Sequence, residues 1–231
     1  PDSITFICIL QACGSTRSVD KGKQIHEEIV SRGLLEKKDI VLGTALVDMY
    51  VKCGMLAEAQ QVLEELPVRD VVSWSSLIAG YAQQGLGFKA VDCYERMEKE
   101  GVSPNEITFT CVLKACANGC VLHEGTHIHN IIVTCCLEQD PFVGNSLIDL
   151  YAKCGSLEDA QNMFEKLIQR DVATWNAMIG AYAQNGLGKL SIELFQEMQR
   201  MSIEPDNITF LNILKACSSI TDLELGKSID T

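Results

Sequence analysis

Apolar residues recur along the chain at intervals of three and four, in short blocks broken by Gly or Pro. Within 71–105, Trp74, Leu77, Ile78 and Tyr81 mark one helical stripe. Gly85 and Gly87 break it. A second stripe follows at Ala90, Val91, Cys93, Tyr94 and Met97, and Gly101 and Pro104 close the unit. The pattern predicts two antiparallel helices joined by a tight turn. Such a hairpin cannot bury its stripe alone, so it needs neighbours of the same kind.

The neighbours are present as internal repeats. Ser73-Trp74-Ser75-Ser76-Leu77-Ile78 returns as Thr174-Trp175-Asn176-Ala177-Met178-Ile179, 101 residues later. Tyr50-Val51-Lys52-Cys53-Gly54 returns as Tyr151-Ala152-Lys153-Cys154-Gly155 at the same offset, as do Tyr81-Ala82-Gln83 and Tyr182-Ala183-Gln184. A tripeptide occurs three times, as Ile4-Thr5-Phe6, Ile107-Thr108-Phe109 and Ile208-Thr209-Phe210, and leads each time into an Ala-Cys at Cys13, Cys116 and Cys217. The first copy carries two extra residues, placed around 34–39. Stacked hairpins of this period form an all-α solenoid, with about thirteen helices and no strands.

Composition narrows the function. No apolar run of about 18 residues exists, so no membrane span is expected. The first residues, Pro1 to Phe6, lack the basic region of a targeting peptide, so any such segment lies outside this chain. The formal charge of -12 counts against nonspecific nucleic-acid binding but leaves room for a groove lined by its own cations. Of eleven cysteines none forms a CxxC pair, and those at 8 and 111, at 13, 116 and 217, and at 53 and 154 align between copies. They read as small apolar packing residues in a reducing compartment.

The Trp-x-x-Leu-Ile-x-x-Tyr start, the Gly break, Ala90, the Met97-x-x-x-Gly101 tail and Pro104 together resemble the pentatricopeptide repeat, and the alternation of unit lengths resembles its plant PLS subclass. On that resemblance the chain divides into an L-type unit at 3–39, S-type at 40–70, P-type at 71–105, L-type at 106–140, S-type at 141–171, P-type at 172–206 and a truncated L-type unit at 207–231. The resemblance implies a right-handed α-solenoid that binds single-stranded RNA in a mitochondrion or chloroplast, one base per repeat. It makes the chain a specificity module for RNA processing, above all cytidine-to-uridine editing. It implies no cofactor, and it points to organellar RNA editing factors as further partners.

By the family's pattern, bases are read by the fifth and last residues of a unit. The pairs are Thr44 with Asp70, Ser75 with Asn105, Thr110 with Asp140, Asn145 with Asp171, and Asn176 with Asp206. The second residue would sandwich the base: Ile4, Val41, Val72, Ile107, Phe142, Ala173 and Ile208. The first unit offers Ile7 with Asp39 and the last Leu211, whose aliphatic side chains cannot bond a base edge. The implied ligand, 5′ to 3′, is any base, G, A, a weak G, U, U and any base. One such pair alone would read as a helix cap and a turn; five in register favour base reading.

Other motifs yield to the repeat. His123-Glu124-Gly125-Thr126-His127 matches a zinc-protease spacing, but the aligned segments at 20–24 and 224–228 hold no His, and Gly125 aligns with Gly22 and Gly226 as part of a turn. The motifs of the zinc deaminase domain that often accompanies the PLS family are absent, so no metal site and no catalysis are expected. Lys52 and Lys153, near the ends of equivalent first helices, are candidates for phosphate contact. The truncated last unit would bare an apolar face on 208–216 and favour self-association. The alternative reading is a tetratricopeptide-like scaffold that grips peptides, which the acidic charge favours.

Overall fold

The computed structural model describes residues 1–35 and 39–229, with side chains through 220. The two-residue insertion therefore falls largely outside the described residues. Among them are thirteen α-helices and no strand, and none of the helices is long and apolar enough to cross a membrane.

Two compact units are present, Pro1–Gly119 and Cys120–Thr231. The first holds α1 (Ser3–Thr16), α2 (Val19–Ser31), α3 (Ile40–Lys52), α4 (Leu56–Glu65), α5 (Val71–Gln83), α6 (Gly87–Lys99) and α7 (Glu106–Gly119). In it α1, α3, α5 and α7 pack in succession as one layer, while α2, α4 and α6 each fold back on the helix before them and touch the one after. The second holds α8 (Leu122–Thr134), α9 (Pro141–Lys153), α10 (Leu157–Lys166), α11 (Val172–Gln184), α12 (Gly188–Arg200) and α13 (Asn207–Ile229), with α9, α11 and α13 as the corresponding layer.

The two sets of helices differ for a physical reason. A first helix such as α5 is covered on both sides by its neighbours and on a third by its partner, so Trp74, Leu77, Ile78, Tyr81 and Ala82 are all buried. Only a narrow strip is left to solvent. Helices such as α6 and α10 bury one stripe and carry charge on the other face. Trp74 and Trp175 anchor equivalent places, the latter with Phe164 edge-on at 5.1 Å. Each fully buried large side chain contributes about 1.5–3 kcal/mol.

Helix starts differ too. Asp2, Asp39, Asp70, Asp140 and Asp171 cap first helices through their side chains, whereas Ser18, Met55, Leu86, Val121, Ser156 and Leu187, which precede second helices, make no side-chain cap. The second helices follow tight left-handed turns instead, as at Gly85 (φ 69°) and Gly186 (φ 73°).

Three expectations need correction. Gly22 and Gly125 lie inside the first turns of α2 and α8, not in the turns before them. They are there for close approach, since a Cβ would meet Met49 Sδ at 2.5 Å or Leu150 Cδ2 at 2.6 Å. The last helix continues to Ile229, whereas α1 and α7 stop at the left-handed residues Arg17 and Cys120. Finally, of the aligned cysteines only Cys13 and Cys116 are buried, while Cys8 and Cys217 are exposed. Their helices, α1 and α13, each pack against a single first helix.

Candidate functional site

The solvent strip left on the first helices begins at their second residues. Ile4 is 71% exposed and Phe142 74%, and Val41, Val72, Ile107, Ala173 and Ile208 are exposed as well. Seven apolar side chains at one register thus face water rather than the core, the reverse of what an amphipathic helix does with them.

One turn along lie the polar pairs. In the first unit, Thr44 Oγ1 donates to Asp70 Oδ1 at 3.4 Å. The Ser75 hydroxyl meets that of Thr108 at 2.9 Å, and Thr108 Oγ1 in turn donates to Asn105 Oδ1 at 3.0 Å. In the second unit, Asn176 Nδ2 donates to Asp206 Oδ1 at 2.9 Å, and Thr209 Oγ1 donates to Asn176 Oδ1 at 2.6 Å. The Asn145 side chain reaches the Asp171 carboxylate, but its own Oδ1 is buried and accepts no bond among the described residues. Three expected pairs are therefore in direct contact, and a fourth, Ser75 with Asn105, is joined through Thr108. Of the fifth, Thr110 lies in the first unit, where it donates to Glu106 O at 2.8 Å, and Asp140 lies in the second, where it caps α9.

The capping alternative proves to be part of the same geometry. It is the last residue of each pair that caps, and not the fifth. Asp70 accepts from Ser73 N at 2.8 Å, Asn105 from Thr108 N at 3.0 Å, Asp140 from Phe142 N and Val143 N at 3.0 Å, Asp171 from Thr174 N at 2.9 Å, and Asp206 from Thr209 N at 2.9 Å. These cap bonds, and the bonds from Thr44 and Asn176, all fall on Oδ1, so one atom serves both cap and partner. Such caps are each worth about 1 kcal/mol. Asp39 caps α3 through Leu42 N at 3.2 Å, and Leu211 stands exposed on α13.

Two of the carboxylates, Asp171 and Asp206, are held in their ionised form. The Thr209 N–H, followed by the Asn176 amide, holds Asp206 below the usual aspartate range. For Asp171 burial works upward, but the Thr174 backbone and hydroxyl bonds and the Asn145 amide outweigh it, and the net shift is downward.

A cleft of about 350 Å³ opens in the first unit between α1, α3 and α5. Val41 and Val72 line it together with Thr44 and Asp70, and Ile7, Gln11, Asp48 and Ser76 complete much of its wall. Its lining thus combines apolar side chains with the polar fifth–last pair.

Lys52 and Lys153 are held by Asp48 at 2.7 Å and Asp149 at 2.8 Å, in i,i+4 ion pairs on α3 and α9. His123 and His127 lie on α8, and among the described residues no group of three or more His, Cys, Asp or Glu could hold a metal ion. Two features escaped the sequence reading. One is a duplicated His–Tyr pair, His26 Nδ1 to Tyr50 OH at 3.0 Å and His129 Nδ1 to Tyr151 OH at 2.7 Å. The other is the role of Thr108 and Thr209, whose tripeptide was visible but whose partners lie 33 residues back.

Comparison with known proteins gives a consistent result. The PPR repeat family matches residues 69–118 and 170–219, and the PPR repeat matches 4–34, 44–71 and 145–172. Pentatricopeptide repeat-containing protein At2g33680 of Arabidopsis thaliana is 38% identical over 98% of this chain and 31% of its own length. The chloroplastic pentatricopeptide repeat-containing protein At4g18520 of the same plant is 36% identical over 100% of this chain and 36% of its own. The chain thus spans about a third of these relatives. Among solved structures, the pentatricopeptide repeat protein PPR10 from maize has a TM-score of 0.72 at 16% identity, covering 100% of this chain and 35% of that one. A complex of PPR10 with an 18-nt psaJ RNA element has a TM-score of 0.70 at 20% identity, covering 91% and 32%. These likenesses establish an all-α helical repeat solenoid.

Proposed function

Because this chain belongs to the pentatricopeptide repeat family, we propose that it binds single-stranded RNA with one base per unit, each base lying between successive second-position residues and against a fifth–last pair. The observation that carries this is the cleft of the first unit, where Val41 and Val72 flank Thr44 and Asp70. Unstacked bases offer two apolar faces and one polar edge, which is what such a slot complements. PPR10, whose fold this chain shares, has been solved with RNA bound.

The chain then acts as the specificity module of a longer organellar protein of the PLS subclass, directing cytidine-to-uridine editing. Several relatives are named as chloroplastic, in keeping with a plastid or mitochondrial location. Lys52 and Lys153 reach phosphates by exchanging Asp48 and Asp149 for them, an affordable exchange because a surface ion pair is worth only about 0.2–1 kcal/mol. Editing factors would cover the L-type units. The exposed Ile208, Phe210, Leu211 and Leu214 of α13 would support self-association at high concentration.

Binding to a panel of short single-stranded RNAs, with an unrelated peptide set as control, tests the proposal. It expects salt-sensitive binding that is strongest for G, A, G, U, U at the second to sixth positions. Peptide binding without RNA binding would reverse it.

A further inference from the structure

Resting on that RNA reading, we propose that Thr209 is a positioning residue that fixes the amide of Asn176 and thereby makes this pair select uracil over cytosine. Thr108 holds the equivalent place in the first unit.

An ionised carboxylate only accepts hydrogen bonds. The Asn176 atom 2.9 Å from Asp206 Oδ1 is therefore the amide nitrogen, and the amide oxygen must face the other way, toward Thr209. There it takes the Thr209 hydroxyl proton at 2.6 Å, the shorter of the two contacts of Thr209 Oγ1 with an acceptor, the other being Asp206 Oδ1 at 3.0 Å, while Thr209 Oγ1 receives the Asp206 N–H at 3.0 Å. The three residues close a ring, Asp206 N–H to Thr209, Thr209 O–H to Asn176, and Asn176 N–H to Asp206. Thr209 is fully buried and Asn176 only 6% exposed, so the bond between them is shielded from water, while Asp206 stands at the exposed side of the ring.

The ring decides what remains for a ligand. Turning the Asn176 amide over would set its oxygen against the Asp206 carboxylate and forfeit the 2.6 Å bond from Thr209. The group left to face outward is thus the second N–H of Asn176, next to the Asp206 carboxylate. With the carboxylate opposite the imino position of a pyrimidine, that N–H meets the adjoining exocyclic group. Uracil places a carbonyl there and is bonded; cytosine places an amino group there and is opposed, donor against donor.

The same pair of residues at Asn145 and Asp171 lacks the third member. Thr174 Oγ1 donates to Asp171 at 2.9 Å, and Asn145 Oδ1 has no partner among the described residues. Its amide is oriented by the carboxylate alone. In the first unit Ser75, itself 6% exposed, meets the buried Thr108 at 2.9 Å, so a fifth-residue contact with this threonine occurs at both positions where a P-type unit is followed by an L-type one, although Thr108 also bonds Asn105 Oδ1.

The test compares RNAs that differ only by U or C at the fifth or the sixth base. The wild-type chain is expected to discriminate more sharply at the sixth than at the fifth; equal or weaker discrimination at the sixth overturns the proposal without any variant. Thr209→Val should lower the sixth-position U:C ratio on the order of tenfold, and Thr209→Ser should retain it. Thr174→Val removes a hydroxyl from the equivalent cap and should leave the fifth-position ratio as it was, which separates lost capping from lost orientation. A folded Thr209→Val with an unchanged ratio sinks the inference alone. A wild-type chain that binds no single-stranded RNA sinks the RNA reading and this inference with it.

Discussion

Asn145 with Asp171 and Asn176 with Asp206 are the same two side chains at the same register of neighbouring hairpins in one compact unit. In both, the Asp caps the next helix and takes the Asn amide. They differ above all in the hydroxyl bond that Thr209 gives to Asn176 and that Thr174 does not give to Asn145. They differ also in their apolar flanks. Phe142 and Ala173 precede the first pair and its successor, whereas Ala173 and Ile208 bracket the second. Identical reading residues are thus set in unlike sites, and a code written in two residues per unit omits the side chains that aim them.

The harshest way to break the comparison is to remove what both sites share. Trp175 is buried, precedes Asn176 on α11 and meets Phe164 of α10. Trp175→Ala should cost about 3–5 kcal/mol of folding stability, and thermal unfolding should fall in step with binding at the fifth and sixth bases. Loss at one base alone would mean that the two sites do not depend on a common core.

A milder change separates them. Phe142 is the single aromatic among the seven second residues, so Phe142→Ala should weaken binding by roughly 1–3 kcal/mol through lost stacking at the fifth base. It should leave the U:C ratio at the sixth unchanged, as equilibrium titration with single-base variants would read. A uniform loss at both bases would make Phe142 a packing residue.

Most of the fold is legible in the sequence, because helix periodicity and a 101-residue repeat are local and counted signals. Trp74, Tyr81, Tyr94 and Met97 are all buried as the stripes require. The reading residues are legible only by register, since nothing in an isolated Asn or Thr distinguishes a reader from a cap. What stays illegible is the bond from Thr209 to Asn176. The tripeptide Ile208-Thr209-Phe210 is plain in the sequence, but its partner lies 33 residues earlier, and only the packing of α13 on α11 brings the two together. The exposed Cys8 and Cys217 teach the same lesson, for repetition marks equivalent places and burial depends on which neighbours are there.

The smallest expected effect is on acid titration. Both Asp171 and Asp206 are held below their ordinary value, so each carries more protons unfolded than folded through the acid range. The stability they confer is complete above about pH 3.9 and is lost as pH falls through their lowered folded values. Carboxyl-carbon NMR should find both midpoints below about 3.9. Thr209→Val should bring the Asp206 midpoint upward by less than its cap does, since the Thr209 N–H, the largest cause, is retained. A midpoint at or above the ordinary value for Asp206 would show that the ring is not formed.

The central claim, that the fifth and last residues read a base edge, is tested most directly by Asn176→Thr with Asp206 kept. A threonine hydroxyl beside the same carboxylate reproduces the Thr44–Asp70 arrangement. Relative affinities measured for RNAs with each of the four bases at the sixth position should shift from U to G by roughly tenfold or more, an effect of about 1–3 kcal/mol, with the slope of affinity against salt unchanged. If the folded variant keeps its preference for U, Asn176 does not read the base and any RNA affinity comes from the backbone alone.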